Sequence, residues 1–247
     1  MLNKIFLIFL NIFIFLNILN FLNFLNLSGC ANSQNINSQN INQTNLNKAV
    51  SLNIQLGFQY FNLNQNNLAR EKFQKALDLS PNSPSANSAM GYFLWKVGDI
   101  NSAQDFYNKA YLLAPNDPDV LNARGVFLCE VGLENPDKNQ SKNQIQEALN
   151  NFSQAVKSPG FLAVGLTYQN RAQCLYQNKN LAQAEIDFKK ALLEDPLLPL
   201  ANLRLAEISY SQKDFKQAKV YLNQFESMAD PVPESVRLES VLGVNKK

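Results

Sequence analysis

Cysteine is the most versatile side chain in this sequence, because histidine is absent from all 247 residues. Without an imidazole, Ser-His and Cys-His nucleophile pairs are excluded and the commonest zinc ligand is missing. The acidic side chains stand at spacings expected of solvated helix faces, as at Glu71, Asp78, Glu185 and Asp187. No glycine-rich phosphate loop is present either. The sequence therefore predicts that the protein is not an enzyme and takes no cofactor, metal ion or small-molecule substrate.

Basic and acidic side chains nearly balance, with 22 Lys and Arg against 20 Asp and Glu, so the net charge is only +2. Proteins that bind nucleic acid usually carry an excess of basic residues that neutralises phosphate groups. We therefore expect no nucleic-acid partner.

The first cysteine, Cys30, directly follows an apolar N-terminal segment. Lys4 precedes a run of Ile, Phe and Leu, and the residues Leu-Ser-Gly-Cys at 27–30 resemble the lipobox of bacterial lipoproteins. A basic start, an apolar stretch and small residues at its end are typical of a signal peptide. We interpret residues 1–29 as a lipoprotein signal peptide that is removed, and Cys30 as the lipidated N-terminus. The alternatives are a chance cysteine or a retained transmembrane anchor, since the run is long enough to span a bilayer.

Residues 30–47 join this cysteine to the rest of the chain and consist mainly of Asn, Gln and Ser. They lack the apolar area that would offset the entropy of ordering them, which predicts a disordered tether before a folded domain at 48–247. Aspartate after the lipidated cysteine holds lipoproteins in the inner membrane. By this resemblance, Ala31 implies a lipid anchor on the periplasmic face of the outer membrane of a Gram-negative bacterium.

The folded part repeats itself every 34 residues. This period relates Gly57 to Gly91 and Gly125, Ala69 to Ala103, Ala76 to Ala110, and Pro81 to Pro115. Two antiparallel helices pack closely only where side chains are small, and proline ends a helix. The pattern resembles the tetratricopeptide repeat (TPR). It predicts an all-α, right-handed α-solenoid of about five helix pairs plus a C-terminal capping helix.

The period also predicts the bounds of the repeats, near 50–83, 84–117, 118–162, 165–198 and 199–232, with the capping helix at 234–243. In the third repeat, 23 residues separate Gly125 from Ala148, where the first two repeats have 12. The additional residues are polar and predict an inserted, solvated loop at 133–143.

The positions that line the inner groove of TPR arrays are apolar in the first two repeats. They are Ile54, Phe58, Phe61, Tyr92 and Trp95. Because these residues are additional to the core set, they predict an exposed groove that binds a peptide helix or an extended segment. The alternative is that they belong to the core. The corresponding later positions, Asn122, Gln169, Gln173 and Glu207, are more polar, so we expect binding at the N-terminal end.

The other two cysteines, Cys129 and Cys174, fall on the first helices of consecutive repeats. In an exported protein such a pair can form a disulfide, or the two can remain buried thiols that act as small hydrophobic side chains. Position alone leaves both possibilities open.

The segments that contain these cysteines resemble a known family. Residues 122–129 read Asn-Ala-Arg-Gly-Val-Phe-Leu-Cys and resemble the N-x-x-G-x-F-L-C segment of the type IV pilus biogenesis/stability lipoproteins, the TPR pilotins. Residues 170–174 resemble the N-x-G-x-C segment of the same family, with Ala172 in place of glycine. The resemblance extends from about residue 50 to the end. The inserted loop and the missing second helix of a sixth repeat depart from it.

This resemblance implies a disulfide between Cys129 and Cys174 and a lipid anchor in the outer membrane. It also implies that the protein binds secretin subunits and promotes their assembly and localisation in type IV pilus biogenesis. The alternative function is a general TPR lipoprotein scaffold that recruits envelope proteases or cell-wall enzymes.

Overall fold

The computed structural model describes residues 38–243, and within this range the chain forms eleven α-helices and no strand. The helices are α1 Ser38–Asn62, α2 Asn66–Leu79, α3 Pro84–Lys96, α4 Ile100–Leu113, α5 Pro118–Glu134, α6 Lys138–Ala155, α7 Val164–Gln177, α8 Leu181–Glu194, α9 Pro199–Ser211, α10 Phe215–Glu226 and α11 Pro233–Leu242. The prediction of an all-α fold built from helix pairs is confirmed. The signal peptide at 1–29, Cys30 and the first residues of the tether lie outside the described residues. Among the helices of the described range, none is long and apolar enough to cross a membrane.

The two helices of each pair pack against each other, and in the three pairs from α1 to α6 a glycine makes the close approach possible. A Cβ atom at Gly57 would lie 2.6 Å from the ring of Phe73, and one at Gly125 would lie 2.8 Å from the ring of Phe152. Both rings are fully buried. The regular spacing of glycine and aromatic residues in the sequence therefore reflects direct contact between the two helices of a pair.

Helix α1 begins at Ser38, ten residues before the predicted start of the folded domain at Lys48. The prediction of a disordered tether is therefore wrong for residues 38–47. Adding residues to the start of a helix costs little free energy once packing has fixed its later turns, and Val50 in those turns is buried. The added residues also form a side-chain hydrogen bond four positions apart, in which Gln43 Nε2 donates to Asn47 Oδ1 at 3.0 Å.

The insertion in the third repeat lengthens two helices and does not form the predicted loop at 133–143. Helix α5 has 17 residues and α6 has 18, against 13 and 14 for α3 and α4. The carboxylate of Asp137 starts α6 by accepting the backbone N–H groups of Asn139 and Gln140 at 2.8 and 3.1 Å. The side chain of Ile145 is buried, and a Cβ atom at Gly132 would lie 3.0 Å from it. This packing keeps the extended turns together.

The chain divides into two compact units between Ala114 and Pro115. Unit 1 contains α1 to α4 and unit 2 contains α5 to α11. The predicted groove residues all lie in unit 1, whereas Cys129 and Cys174 both lie in unit 2.

Candidate functional site

Aromatic side chains of α1 and α3 form a continuous ladder in unit 1. The ring centroids of Phe58 and Tyr92 are 5.4 Å apart, and those of Phe61 and Tyr92 are 5.9 Å apart. Tyr92 also meets Trp95 edge to face at 6.0 Å. Such contacts stabilise helix packing beyond the effect of area burial alone. We call Phe58, Phe61, Tyr92 and Trp95 the aromatic ladder.

Only part of the aromatic ladder is accessible to a partner. Phe61 and Tyr92 are 8% and 7% exposed, so the prediction that they line an exposed groove is wrong. Their rings fill the space between α1 and α3 and belong to the core of unit 1. Ile54, Phe58 and Trp95 are half-buried and keep some accessible surface. We call these three residues the ladder edge.

The Trp95 end of the ladder edge carries a positive charge. Lys96 Nζ lies 3.4 Å from the centroid of the Trp95 ring and 5.6 Å from that of Tyr92, which is a cation–π arrangement. Burial raises the pKa of Tyr92 well above its usual value, so its hydroxyl stays protonated at neutral pH. The ladder edge therefore combines apolar surface with one positive charge, and the hydroxyl of the buried Tyr92 next to it stays neutral.

Cys129 of α5 and Cys174 of α7 are joined by a disulfide in unit 2, with their Cα atoms 6.0 Å apart. Both side chains are buried, at 3% and 2% exposure. The bond spans 45 residues of sequence and therefore ties the third repeat to the fourth across the whole of α6. The structure thus pairs these cysteines in the way that the family resemblance implied.

A buried ion pair joins three helices of unit 2. Arg171 Nε and Nη2 donate to the two carboxylate oxygens of Asp187 at 2.6 and 2.8 Å, and Nη1 donates to Ser153 Oγ at 2.9 Å. Asp187 is completely buried, so the expectation that it lies on a solvated helix face is wrong. The bidentate pair with Asp187 fixes α7 against α8, and the hydrogen bond to Ser153 fixes it against α6.

A polar cluster connects α7 to α9 in the same unit. Tyr176 OH and Arg204 Nη1 both donate to Glu207 Oε2, at 3.0 and 2.7 Å, and Arg204 Nε donates to Gln173 Oε1 at 3.2 Å. Burial and the nearby carboxylate of Glu207 raise the pKa of Tyr176. These polar side chains are engaged with one another, which leaves few of their hydrogen-bonding groups for a partner.

The polar residues at the predicted groove positions of the third and fourth repeats are also hydrogen-bonded or buried. Asn170 Nδ2 donates to Asn122 Oδ1 at 3.0 Å, linking α7 to α5. Gln169 and Gln173 are buried, at 6% and 9% exposure. The inner face of these repeats is therefore a packed polar surface, in contrast to the ladder edge of unit 1.

Sequence reasoning gave no role to Arg171 and Arg204, and it placed Asp187 on a solvated helix face. A signal for Asp187 was available, because it stands three residues after Ala184 and four before Ala191 and so shares the face of two buried alanines. Arg204 gave no such signal, since its partner Gln173 is 31 residues away in sequence. Within the part of the chain that the structure describes, no cluster of three or more Cys, Asp or Glu side chains is placed to hold a metal ion. Of the predicted groove residues, those of the ladder edge keep accessible apolar surface, which makes the ladder edge the candidate site for binding another protein.

Family models match three segments of the chain. The model described as "TPR repeat" matches residues 57–98, and the model described as "Tetratricopeptide repeat" matches residues 84–117 and 167–196. The sequence has no significant match among curated proteins.

The fold is similar to several solved structures. PilF of Pseudomonas aeruginosa is 24% identical, with a TM-score of 0.68 over 81% of this chain and 86% of that chain. PilW, described as a widely conserved type IV pilus biogenesis factor, is 19% identical, with a TM-score of 0.66 over 78% of this chain and 86% of that chain. TTC0263, a TPR protein of Thermus thermophilus, is 20% identical, with a TM-score of 0.65 over 79% of this chain and all of that chain. At such identities the likeness shows the fold alone, a fold of helix pairs, and the family models show tetratricopeptide repeats at residues 57–117 and 167–196.

Proposed function

We propose that the protein is an outer-membrane lipoprotein that binds secretin subunits and promotes their assembly and localisation in type IV pilus biogenesis. The observation that carries this proposal is the likeness to PilW, a type IV pilus biogenesis factor, along 78% of the chain. The disulfide between Cys129 and Cys174 supports it, because these cysteines lie in the two segments that resemble the TPR pilotins.

Lipidation of Cys30 would hold the repeats close to the membrane. Helix α1 begins at Ser38, so only seven residues separate the lipidated cysteine from the first helix. Confinement at a surface raises the effective concentration of a tethered binding partner without any new contact. A secretin subunit captured there would meet other subunits where the ring must form.

The ladder edge is the surface that we assign to the secretin subunit. Ile54, Phe58 and Trp95 offer apolar area next to the positive charge of Lys96. Aromatic residues are the side chains that most often dominate protein interfaces, at about 2 kcal/mol or more each when a partner buries them. An apolar segment of the secretin subunit, protected there from aggregation, is the expected ligand.

The test is complementation of a deletion strain with wild-type protein, Trp95→Ala or Tyr210→Ala. Tyr210 is a matched control because it is also half-buried and also contacts another aromatic ring, that of Phe215 at 5.6 Å, but it lies in unit 2. We expect Trp95→Ala to lose secretin multimers and secretin co-purification, while Tyr210→Ala retains both. Circular dichroism must show that both variants are folded.

Two results would contradict the proposal at different levels. Normal secretin multimers in the deletion strain would overturn the pilus function and leave the general scaffold as the alternative. Normal multimers with a folded Trp95→Ala variant would overturn only the assignment to the ladder edge. Lipidation is tested separately by labelling with radioactive palmitate, which should enter the wild type and be absent from Cys30→Ser.

A further inference from the structure

The first residues of α6, just after the turn from α5, carry an Asn-x-Ser sequence whose middle residue is not proline. Asn139, Gln140 and Ser141 form it, and Asp137 stands two positions before the asparagine. In exported proteins, Asn-x-Ser and Asn-x-Thr are the acceptor sequences for N-linked sugars, which are bulky and stand on the protein surface. This part of the insertion therefore has the residue types of a glycosylation site.

The chain contains four sequences of this kind, which differ in exposure and in the charge before them. The one at Asn26 lies in the predicted signal peptide, outside the described residues, and the one at Asn42 has the neutral Asn40 two positions before it. The structure describes the acceptor side chains of the other two. Asn151 is 3% exposed and its Nδ2 atom is buried, so a sugar there would force α6 out of its packing. Asn139 is exposed and follows an acidic residue.

The backbone at Asn139 is accessible as well as the side chain. All residues from Pro136 to Gln140 are exposed. The first backbone N–H groups of a helix have no partner within the helix, and here the carboxylate of Asp137 accepts those of Asn139 and Gln140 at 2.8 and 3.1 Å. Exposed tips held by so few bonds are where enzymes reach a folded chain. This turn can open without disturbing the buried side chains of α6, the first of which is Ile145.

We propose that Asn139 is an N-glycosylation site, modified when the chain is exported. The inference rests on the export of the lipoprotein in the proposed function. The donor is an oligosaccharide carried on a polyprenyl diphosphate in the membrane. Asn139 Nδ2 forms a bond to C1 of the first sugar and loses one proton to a base of the transferring enzyme. The bond from C1 to the diphosphate oxygen breaks, and polyprenyl diphosphate leaves with the electron pair.

The residues on both sides of Asn139 supply what a transferring enzyme recognises. Ser141 provides the hydroxyl group of the acceptor sequence. A bacterial oligosaccharyltransferase that recognises an acidic side chain two positions before the asparagine has Asp137 to bind. Both residues belong to the insertion of the third repeat, which departs from the family that the cysteine segments resemble. The modification is therefore a property of this chain, and its sugar would cover the polar tip between α5 and α6.

Mass spectrometry of the protein purified from its native host tests the site. Cleavage after glutamate releases residues 135–147 as one peptide. We expect the wild-type peptide to carry the added mass of a sugar chain, with sugar ions on fragmentation, and Asn139→Gln and Ser141→Ala to lose it completely. The matched control is Asn143→Gln. Asn143 is also exposed on α6 and also precedes a glutamine, but Ile145 replaces the serine, so this variant should keep the sugar.

Two conservative variants separate recognition from folding. Ser141→Thr keeps the hydroxyl group and should keep the sugar. Asp137→Asn keeps an oxygen that can cap α6 but removes the charge, and it should lower the modified fraction. An unchanged fraction in this variant would overturn the role given to the acidic residue.

The site itself is overturned if the wild-type peptide has its unmodified mass, or if the sugar persists in Asn139→Gln. A sugar that persists there and is lost in Ser141→Ala would be attached to the serine hydroxyl instead. Labelling the same cultures with palmitate distinguishes failure of this inference from failure of the proposed function. A chain that takes up palmitate but has an unmodified peptide overturns the glycosylation site alone, whereas a chain with neither modification overturns the lipoprotein as well.

Discussion

Units 1 and 2 use the same helix pair as their building block, but different interactions stabilise them. In unit 1, the aromatic ladder joins the first helices of adjacent repeats through ring contacts. In unit 2, the corresponding helices α5 and α7 are joined by a disulfide and by the hydrogen bond from Asn170 to Asn122. Repeat positions that are equivalent in the fold therefore carry quite different chemistry.

This difference determines what the ladder edge of unit 1 and the polar inner face of unit 2 each offer to a ligand. Apolar contacts are non-directional, so a ring at the ladder edge can contact an incoming apolar side chain without losing a specific bond. In unit 2, Gln173, Tyr176, Arg204 and Glu207 are already hydrogen-bonded to one another, and a ligand would have to break those hydrogen bonds before it could form its own. Charge removal, reductant and acid should therefore change the stability of the two units by different amounts.

The largest effect is expected from Asp187→Ala in unit 2. The variant leaves the guanidinium of Arg171 in the protein interior without its carboxylate, a change that typically costs about 3 to 5 kcal/mol. Chemical denaturation measures this loss. The control is Lys189→Ala, which removes a side chain that is 52% exposed in its pair with Glu185 and which should cost about 0 to 1 kcal/mol. Equal losses in the two variants would show that the Arg171 pair is not the stabilising element.

The next effect is that of removing the disulfide by the double substitution Cys129→Ala and Cys174→Ala. Closing a 45-residue loop restricts the unfolded chain, and bonds of this kind typically contribute about 2 to 4 kcal/mol. Hydrogen exchange should report reduced protection in α5 to α8 and little change in α1 to α3. Reductant should destabilise the wild type and have no effect on the double variant. Comparable loss of protection in both units would contradict the assignment of this stabilisation to unit 2.

The sequence alone was sufficient to predict the helix pairs, because glycine, alanine and aromatic residues recur wherever two helices touch. It failed where a helix extends into a segment of polar residues, as in α1 before Lys48 and on both sides of Asn135. It also failed to separate the ladder edge from the core. Phe58 and Phe61 are three residues apart on α1, and only the position of α3 decides that Phe61 is buried.

A smaller effect is expected from Phe61→Leu in the aromatic ladder. The leucine keeps most of the apolar volume but removes the ring contacts with Tyr92 and Phe93, at 5.9 and 6.0 Å. Such ring pairs contribute about 0.5 to 1.5 kcal/mol each beyond area burial. The free energy of unfolding should therefore fall by about 1 to 3 kcal/mol, by the same amount with or without reductant. Dependence of this loss on reductant would mean that the two units are not stabilised independently.

The smallest effect concerns acid sensitivity, for which two partly exposed ion pairs are compared. The hydrogen bond from Lys189 lowers the pKa of Glu185 in unit 2, and the hydrogen bond from Lys72 lowers the pKa of Glu71 in unit 1. A carboxyl group with a lowered folded-state pKa contributes stability above its unfolded pKa and loses it as the pH falls through the folded pKa. Glu185 also accepts from Gln212 Nε2 at 2.7 Å, and its side chain is 22% exposed against 62% for Glu71, so Glu185 should make the larger contribution. Urea denaturation between pH 6 and pH 3 should show that Glu185→Gln removes part of the acid-dependent loss of stability and that Glu71→Gln removes less. The reverse order would show that solvent exposure does not decide how much these pairs contribute.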